Sequence, residues 1–329
     1  MREQKLINRM ISILQHKMQK DYAGTHVKRD AHPKDLGLAK AVFKIEENIP
    51  SEAAHGIFSK PLTYHCLIRL SNSSGKIQSD KEKDFRGFAI KIVDVKGERF
   101  TGKEEQTQDF ILMSYPIMPL GTVKLFHDAV FYSIKIHPLA FVLKLLLSGK
   151  KKVLRQFKDG KKNHTSSFDM QYWSTTPYQL GDTFVKYSIV PTSLYKSSLP
   201  IPLSDNYLSA NNALHLKKQE ASFDFLIQFF KDEVSTPIED AGIEWEEKAS
   251  PFVKVATILI PKQNMITEER KELVEVLSFS PANSLLAHQP LGPINRARVI
   301  IYDQLSAFRH QMNNQQTVEP TLHSYHKLI

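Results

Sequence analysis

The chain has 329 residues, 41% of them hydrophobic, and carries 44 Lys and Arg against 35 Asp and Glu, a formal charge of +9 at neutral pH. That length supports a large core in one or two domains. The single cysteine, Cys66, excludes an internal disulfide and any cysteine-pair zinc or iron–sulfur site; within the apolar stretch Tyr64 to Leu70 it reads as a small buried filler.

Leu6, Ile7, Met10, Ile11, Leu14 and Met18 recur with helical spacing over residues 1–24. The stretch is too broken by charge for a signal peptide and too polar to span a membrane. It predicts an amphipathic N-terminal arm, residues 1–28, ended as a helix by Gly24 and packed on its own domain or a sister subunit rather than on lipid. The polar loop Arg29 to Gly37 follows, and its His32, taken alone, is an ordinary loop histidine. A strand is expected at Ala41–Ile45, another runs through Arg69 into the turn Ser71-Asn72-Ser73-Ser74-Gly75, and Phe88, Ile90 and Ile92 alternate as in a barrel wall.

The run Leu139 to Leu147 is too short to cross a bilayer. Behind it, Lys150, Lys151, Lys152, Arg155, Lys158, Lys161 and Lys162 face only Asp159, so seven minus one gives a local charge of +6. No recognition motif or aromatic interleaving accompanies them, which argues against nucleic acid. A solvated helix face and a surface meeting anionic lipid both fit. Strands are expected at Thr183–Pro191, Ala221–Phe230 and between Pro251 and Pro261, a charged helix at 267–277, and a loose tail after Asn314 (domain boundary 29–314, tail 315–329) with His323 and His326 incidental. Phosphate-loop, dinucleotide, nucleophile-elbow and zinc-protease motifs do not occur in the sequence.

Arg298, Tyr302 and Arg309 are spaced four and seven apart, which an α-helix gathers onto one narrow face. Holding a phenol ionised at neutral pH requires roughly 4 kcal/mol of differential stabilisation. A ferric ion and an arginine one turn away supply it together. An ordinary amphipathic helix with a half-buried tyrosine and two solvated arginines fits the triplet too, and the β-branched run Val299-Ile300-Ile301 weakens the helix. The residues alone leave both open.

Arg298-x-x-x-Tyr302 followed by Arg309 resembles the proximal haem signature of haem catalases, and Pro290-Leu291-Gly292-Pro293-Ile294-Asn295-Arg296 resembles a short, catalase-related peroxidase branch. Further blocks occur in family order over about residues 29–313: Arg29 three residues before His32, Arg69 with Ser71, Asp84-Phe85-Arg86-Gly87-Phe88-Ala89-Ile90-Lys91, and Thr107-Gln108-Asp109-Phe110. The resemblance implies an α+β fold, an antiparallel β-barrel of the catalase type with surrounding helices, holding haem b. It implies Tyr302 as axial iron ligand kept ionised by Arg298, propionate contacts from Arg29, Arg69 and Arg309, His32 as distal acid–base residue, and Ser71 beside it. Gln106 falls at the family's distal asparagine after a one-residue insertion and would hold peroxide; Asp35 stands where the family has glycine. The implied activity is peroxidase or catalase-like cleavage of hydroperoxides, organic (fatty-acid) ones ahead of hydrogen peroxide. Rearrangement to allene oxides and non-catalytic haem binding are the alternatives. A small-molecule electron donor and a homo-oligomer are the expected partners, and the cytoplasm, with peripheral membrane contact through Lys150–Lys162, the expected location.

Overall fold

The computed structural model describes residues 2–102 and 106–328. Nine strands form one antiparallel sheet: β1 (Asp35–Ile45), β2 (Thr63–Asn72), β3 (Arg86–Val93), β4 (Thr107–Met113), β5 (Tyr172–Trp173), β6 (Tyr178–Leu180), β7 (Thr183–Pro191), β8 (Ala221–Phe229) and β9 (Phe252–Ile260). Eight of them close on themselves in the order β1-β2-β3-β4-β5-β7-β8-β9, and β6 hangs on β7 as a hairpin arm. The seam is the two-residue strand β5, where Trp173 lies opposite Met113 on one side and Ser188 on the other. Closure removes the free sheet edges that would invite pairing with another chain.

Because successive side chains alternate, one set from each strand fills the interior. Phe43, Ile68, Phe88, Ile90, Phe110, Tyr187 and Phe225 are all buried in one cluster. Phe43 and Phe225 meet edge-on with centroids 5.0 Å apart, as do Phe110 and Tyr187 at 4.9 Å, while Phe43 and Phe110 stack at 6.1 Å, offset geometries that aromatic quadrupoles favour. A polar group sits among them. His288 Nε2 accepts the Ile57 N–H at 3.0 Å and Nδ1 lies 3.1 Å from the Tyr187 hydroxyl. Burial pushes its imidazole down to about 3, so it stays neutral.

Among the described residues eight α-helices surround the barrel: α1 (Arg2–Asp21), α2 (Val123–Phe131), α3 (Pro138–Leu147), α4 (Lys151–Gly160), α5 (Tyr207–Lys218), α6 (Glu268–Val276), α7 (Gly292–Met312) and α8 (Leu322–Lys327). The β-branched run in α7 does not break it. Pro293 pre-sets its first turn, and Ile301 packs with Ala297 against Ile7, Met10 and Leu14 of α1 and Val123 of α2. Tertiary burial here outweighs a propensity cost of a few tenths of a kcal/mol per residue. The N-terminal arm therefore lies on its own chain, across α2 and α7.

Two sequence expectations need correction. β1 starts at Asp35, six residues before Ala41. The tail after Asn314 is also ordered: Thr321 and Ser324 form a reciprocal capping box on α8, and Tyr325 and Leu328 are buried against Leu38 and Leu67. Glu319 reaches the buried Lys91 Nζ at 3.0 Å and the Thr107 hydroxyl at 2.8 Å. Two apolar side chains and one carboxylate are too sparse a pattern to announce a docked segment in sequence.

Candidate active site

Arginine and serine on a strand two residues apart share a face, and β2 turns Arg69 and Ser71 away from the barrel interior. Register carries that face across three strands. Arg69 pairs with Ala89 and Ala89 with Ile111; Ser71 pairs with Gly87 and Gly87 with Met113. These two cross-strand rows floor a cavity of about 370 Å³ on the outside of the barrel, within the size range of small-molecule and cofactor sites.

The loop before β1 lays His32 on this floor. Its backbone is left-handed, with φ 58°, uncommon for a side-chain-bearing residue although histidine is among the more tolerant. Arg69 holds it there, donating from Nη2 to the His32 carbonyl at 2.7 Å. His32 Nδ1 lies 2.9 Å from Ser71 Oγ. Directly beneath is Gly87, where a Cβ would stand 2.6 Å from Ser71 Oγ and 2.8 Å from His32 Nδ1. Only glycine fits. Burial, then the Arg69, Arg298 and Arg29 charges, push the imidazole down to about 3, so His32 is neutral at physiological pH.

The opposite wall is α7. Ile294, Ala297, Arg298, Ile301, Tyr302, Leu305, Ser306 and Arg309 line the cavity, a stripe with steps of three and four that runs about 22 Å along the helix. Tyr302 is half-buried. The Arg298 guanidinium lies over its ring, 5.3 Å from the centroid. Arg298 is itself fixed by Thr176 Oγ1 and Asn295 Oδ1, each accepting from Nη1 at 3.1 Å. Burial pulls its pKa down, but the neighbouring Tyr302 and Tyr178 oxygens more than offset this, so the charge is secured.

Arg309, Arg29 and Arg69 form a cationic group. Arg29 Nη2 donates to the Val274 and Leu277 carbonyls at 2.5 and 2.6 Å, and Arg309 donates to the Glu275 and Leu277 carbonyls. Burial followed by mutual repulsion holds Arg29 well below the ordinary arginine range, and burial brings Arg309 down to about 10. Their acidic neighbours are Asp35, 3.7 Å from Arg69 Nε, and Glu275. Three guanidiniums against two carboxylates leave unmet demand for an anion.

Three solved structures share this architecture: a fungal catalase (TM-score 0.70, 18% identity, covering 87% of this chain and 60% of that one), catalase A from Saccharomyces cerevisiae (0.70, 18%, 88% and 63%) and a bacterial catalase (0.67, 15%, 93% and 63%). The fold is the catalase fold. At these identities the likeness concerns the fold alone, and the chain spans about three fifths of the length of the catalases it matches. No family model and no curated protein matches the sequence.

Within the catalase-fold slot, seven of the eight residues expected at the site come together: His32 and Ser71 on the barrel wall, Arg298, Tyr302 and Arg309 on the helix wall, and Arg29 and Arg69 between. Gln106 does not join them. It is exposed before β4, with its carbonyl accepting from Val95 N–H, and it does not line the cavity. The β4 positions that do, Ile111 and Met113, lie five and seven residues on, roughly 17–24 Å along a strand. Gln106 therefore lies away from the slot to which its sequence position assigns it.

The residues present fit an anionic, iron-bearing group: Arg69 Nε and Arg298 Nε are buried without a hydrogen-bond partner, and a phenol with a guanidinium beside it is a donor for a trivalent iron. Sequence reasoning missed the floor residues Gly87, Ala89, Ile111 and Met113 and the Thr176–Asn295 brace under Arg298. The glycine inside Arg86-Gly87-Phe88-Ala89 was the available signal, because a glycine within a strand marks close approach.

Proposed function

We propose that the chain is a haem-dependent enzyme that cleaves the O–O bond of hydroperoxides. The observation that carries this reading is the placement of neutral His32 and arginine-backed Tyr302 on the two walls of one slot that also holds three arginines. Haem b, if bound, would supply an iron centre able to accept the two oxidising equivalents of the hydroperoxide, and a small-molecule donor would supply the two electrons that restore it. The chain supplies the rest. Tyr302 offers its phenol oxygen to the iron, and Arg298 stabilises the negative charge there. Arg29, Arg69 and Arg309 match two propionate carboxylates through charge-assisted hydrogen bonds. His32 takes the proton from the near oxygen of the hydroperoxide and delivers it to the far oxygen, which leaves as water or alcohol. Ser71 fixes the imidazole orientation.

An organic hydroperoxide is the favoured substrate over hydrogen peroxide. The support is the apolar lining contributed by Met118, Leu120, Phe126 and Phe157, together with the absence of Gln106 from the slot. Self-association into a homo-oligomer belongs to the same reading and is checked by light scattering.

The test is an absorption spectrum of protein produced with haem supply, beside Tyr302→Phe. A ferric spectrum that changes class in the variant supports the reading. A colourless protein, or a spectrum unchanged by the substitution, overturns it. Product analysis with an alkyl hydroperoxide then separates reduction, which yields alcohol, from rearrangement, which yields an isomer.

A further inference from the structure

Helix α3 is apolar on two faces, and only one of them is used. Phe141 and Leu145 point inward and pack with Leu125 of α2 and Val153 of α4. Leu139, Leu143, Leu146 and Leu147 point outward, 68%, 56%, 43% and 81% exposed, and Ile136 just before the helix is 57% exposed. Positions 139, 143, 146 and 147 fall on one face of α3, and Ile136 precedes them across the extended His137. Four leucines on one helix face in water demand a partner. Leu146 and Leu147 run directly into Lys150, Lys151, Lys152 and Arg155 at the start of α4, all exposed. None of these four makes an ion pair among the described residues.

We propose that α3 and the first turns of α4 form a docking surface for an anionic lipid bilayer. The occupant is decided by charge and shape together. An apolar ridge beside a bank of unpaired cations is the arrangement of an interfacial helix, which sinks its leucines to the acyl boundary while lysines meet the headgroups. A second copy of the chain on the same patch would set one bank of cations against another in a two-fold contact. The ridge is ten helical residues long, about 15 Å, half the thickness of a hydrocarbon core, so it lies in the interface without crossing. The same helix α4 also reaches the cavity, because Phe157, two residues beyond Arg155, lines the slot. The docking surface itself stands without the haem reading.

Co-sedimentation of the full chain with vesicles tests it, using phosphatidylcholine alone and phosphatidylcholine with 30% phosphatidylserine, at low and at 0.5 M salt. The expected result is pelleting with the anionic vesicles only, released by salt, and at least a tenfold loss of apparent affinity in both Leu143→Asp/Leu147→Asp and Lys151→Glu/Lys152→Glu/Arg155→Glu. The second variant alters only exposed charges, so it reports even where the first misfolds. Wild type that stays in solution with anionic vesicles overturns the proposal, as does charge-reversed protein that pellets like wild type. So does an oligomer in lipid-free buffer that Leu143→Asp/Leu147→Asp dissolves to monomers, because the ridge would then be covered by another copy.

Discussion

The two walls of the slot are finished to different degrees. On the barrel wall, His32 is clamped by Arg69 through its carbonyl, by Ser71 at Nδ1, and from below by a glycine that leaves no spare volume. The polypeptide completes this geometry unaided. On the helix wall, Tyr302 is only half-buried with a guanidinium over its ring, and the Nε of that guanidinium, like that of Arg69, has no hydrogen-bond partner. On the proposed reading, the contrast separates a preorganised half from one completed by its ligand. An acid–base group must be positioned before its substrate arrives, whereas a ligating oxygen gains its principal partner from the ligand itself.

Experiments that attack one wall at a time sharpen the contrast. Replacing Tyr302 with Phe removes the oxygen donor and has the largest effect: haem is lost, or its spectrum changes class, while the fold survives, as circular dichroism and haem titration report. His32→Gln should leave haem in place and lower hydroperoxide turnover by about 10²–10⁴-fold, the usual contribution of a positioned acid–base residue. Equal loss of haem in both variants would erase the distinction between the walls. Arg309→Leu leaves one anionic group of the ligand without a charge-assisted partner, and haem affinity should fall about ten- to hundredfold. Gly87→Ala inserts a methyl into a filled space and should destabilise by about 1–3 kcal/mol in urea unfolding. Haem uptake should persist, because the strain falls on the barrel wall.

The smallest effect is a pH dependence. In the folded chain His32 is held neutral down to about 3, while in the unfolded chain it binds a proton from about pH 6.5 downward. The unfolded state therefore binds more protons over that window, and the stability contribution present above 6.5 is lost as pH falls. Wild type should lose about 2 kcal/mol relative to His32→Gln between pH 7 and pH 5, read from urea midpoints at the two values. A constant difference would mean that the ring is solvated and the barrel wall looser than described.

The helix wall was the more legible of the two in sequence, because a helical stripe is local: the steps from Arg298 to Tyr302 and Arg309 fix their common face regardless of what packs against it. His32, Arg69 and Ser71 were found through resemblance in order and spacing rather than through pattern. The floor was hidden, since which residues of β3 and β4 lie beside Ser71 depends on register, and register is set by partners distant in the chain. Gln106 failed for the same reason. Counting along a strand from Thr107 does not say where a neighbouring strand stops or which end reaches the slot. The outer face of α3 was hidden differently, because a run of leucines looks like core whichever side is covered.

His32 and Tyr302 stand 270 residues apart, 302 minus 32, and β1 acquires its second neighbour, β9, only at residues 252–260. During synthesis the acid–base wall can pair β2 with β3 early, from adjacent segments, but α1 has no α7 to rest on and the slot has no second side until nearly the whole chain has emerged. Contacts of such sequence separation form late and slowly. The slot thus gains its second wall only when elongation is almost over.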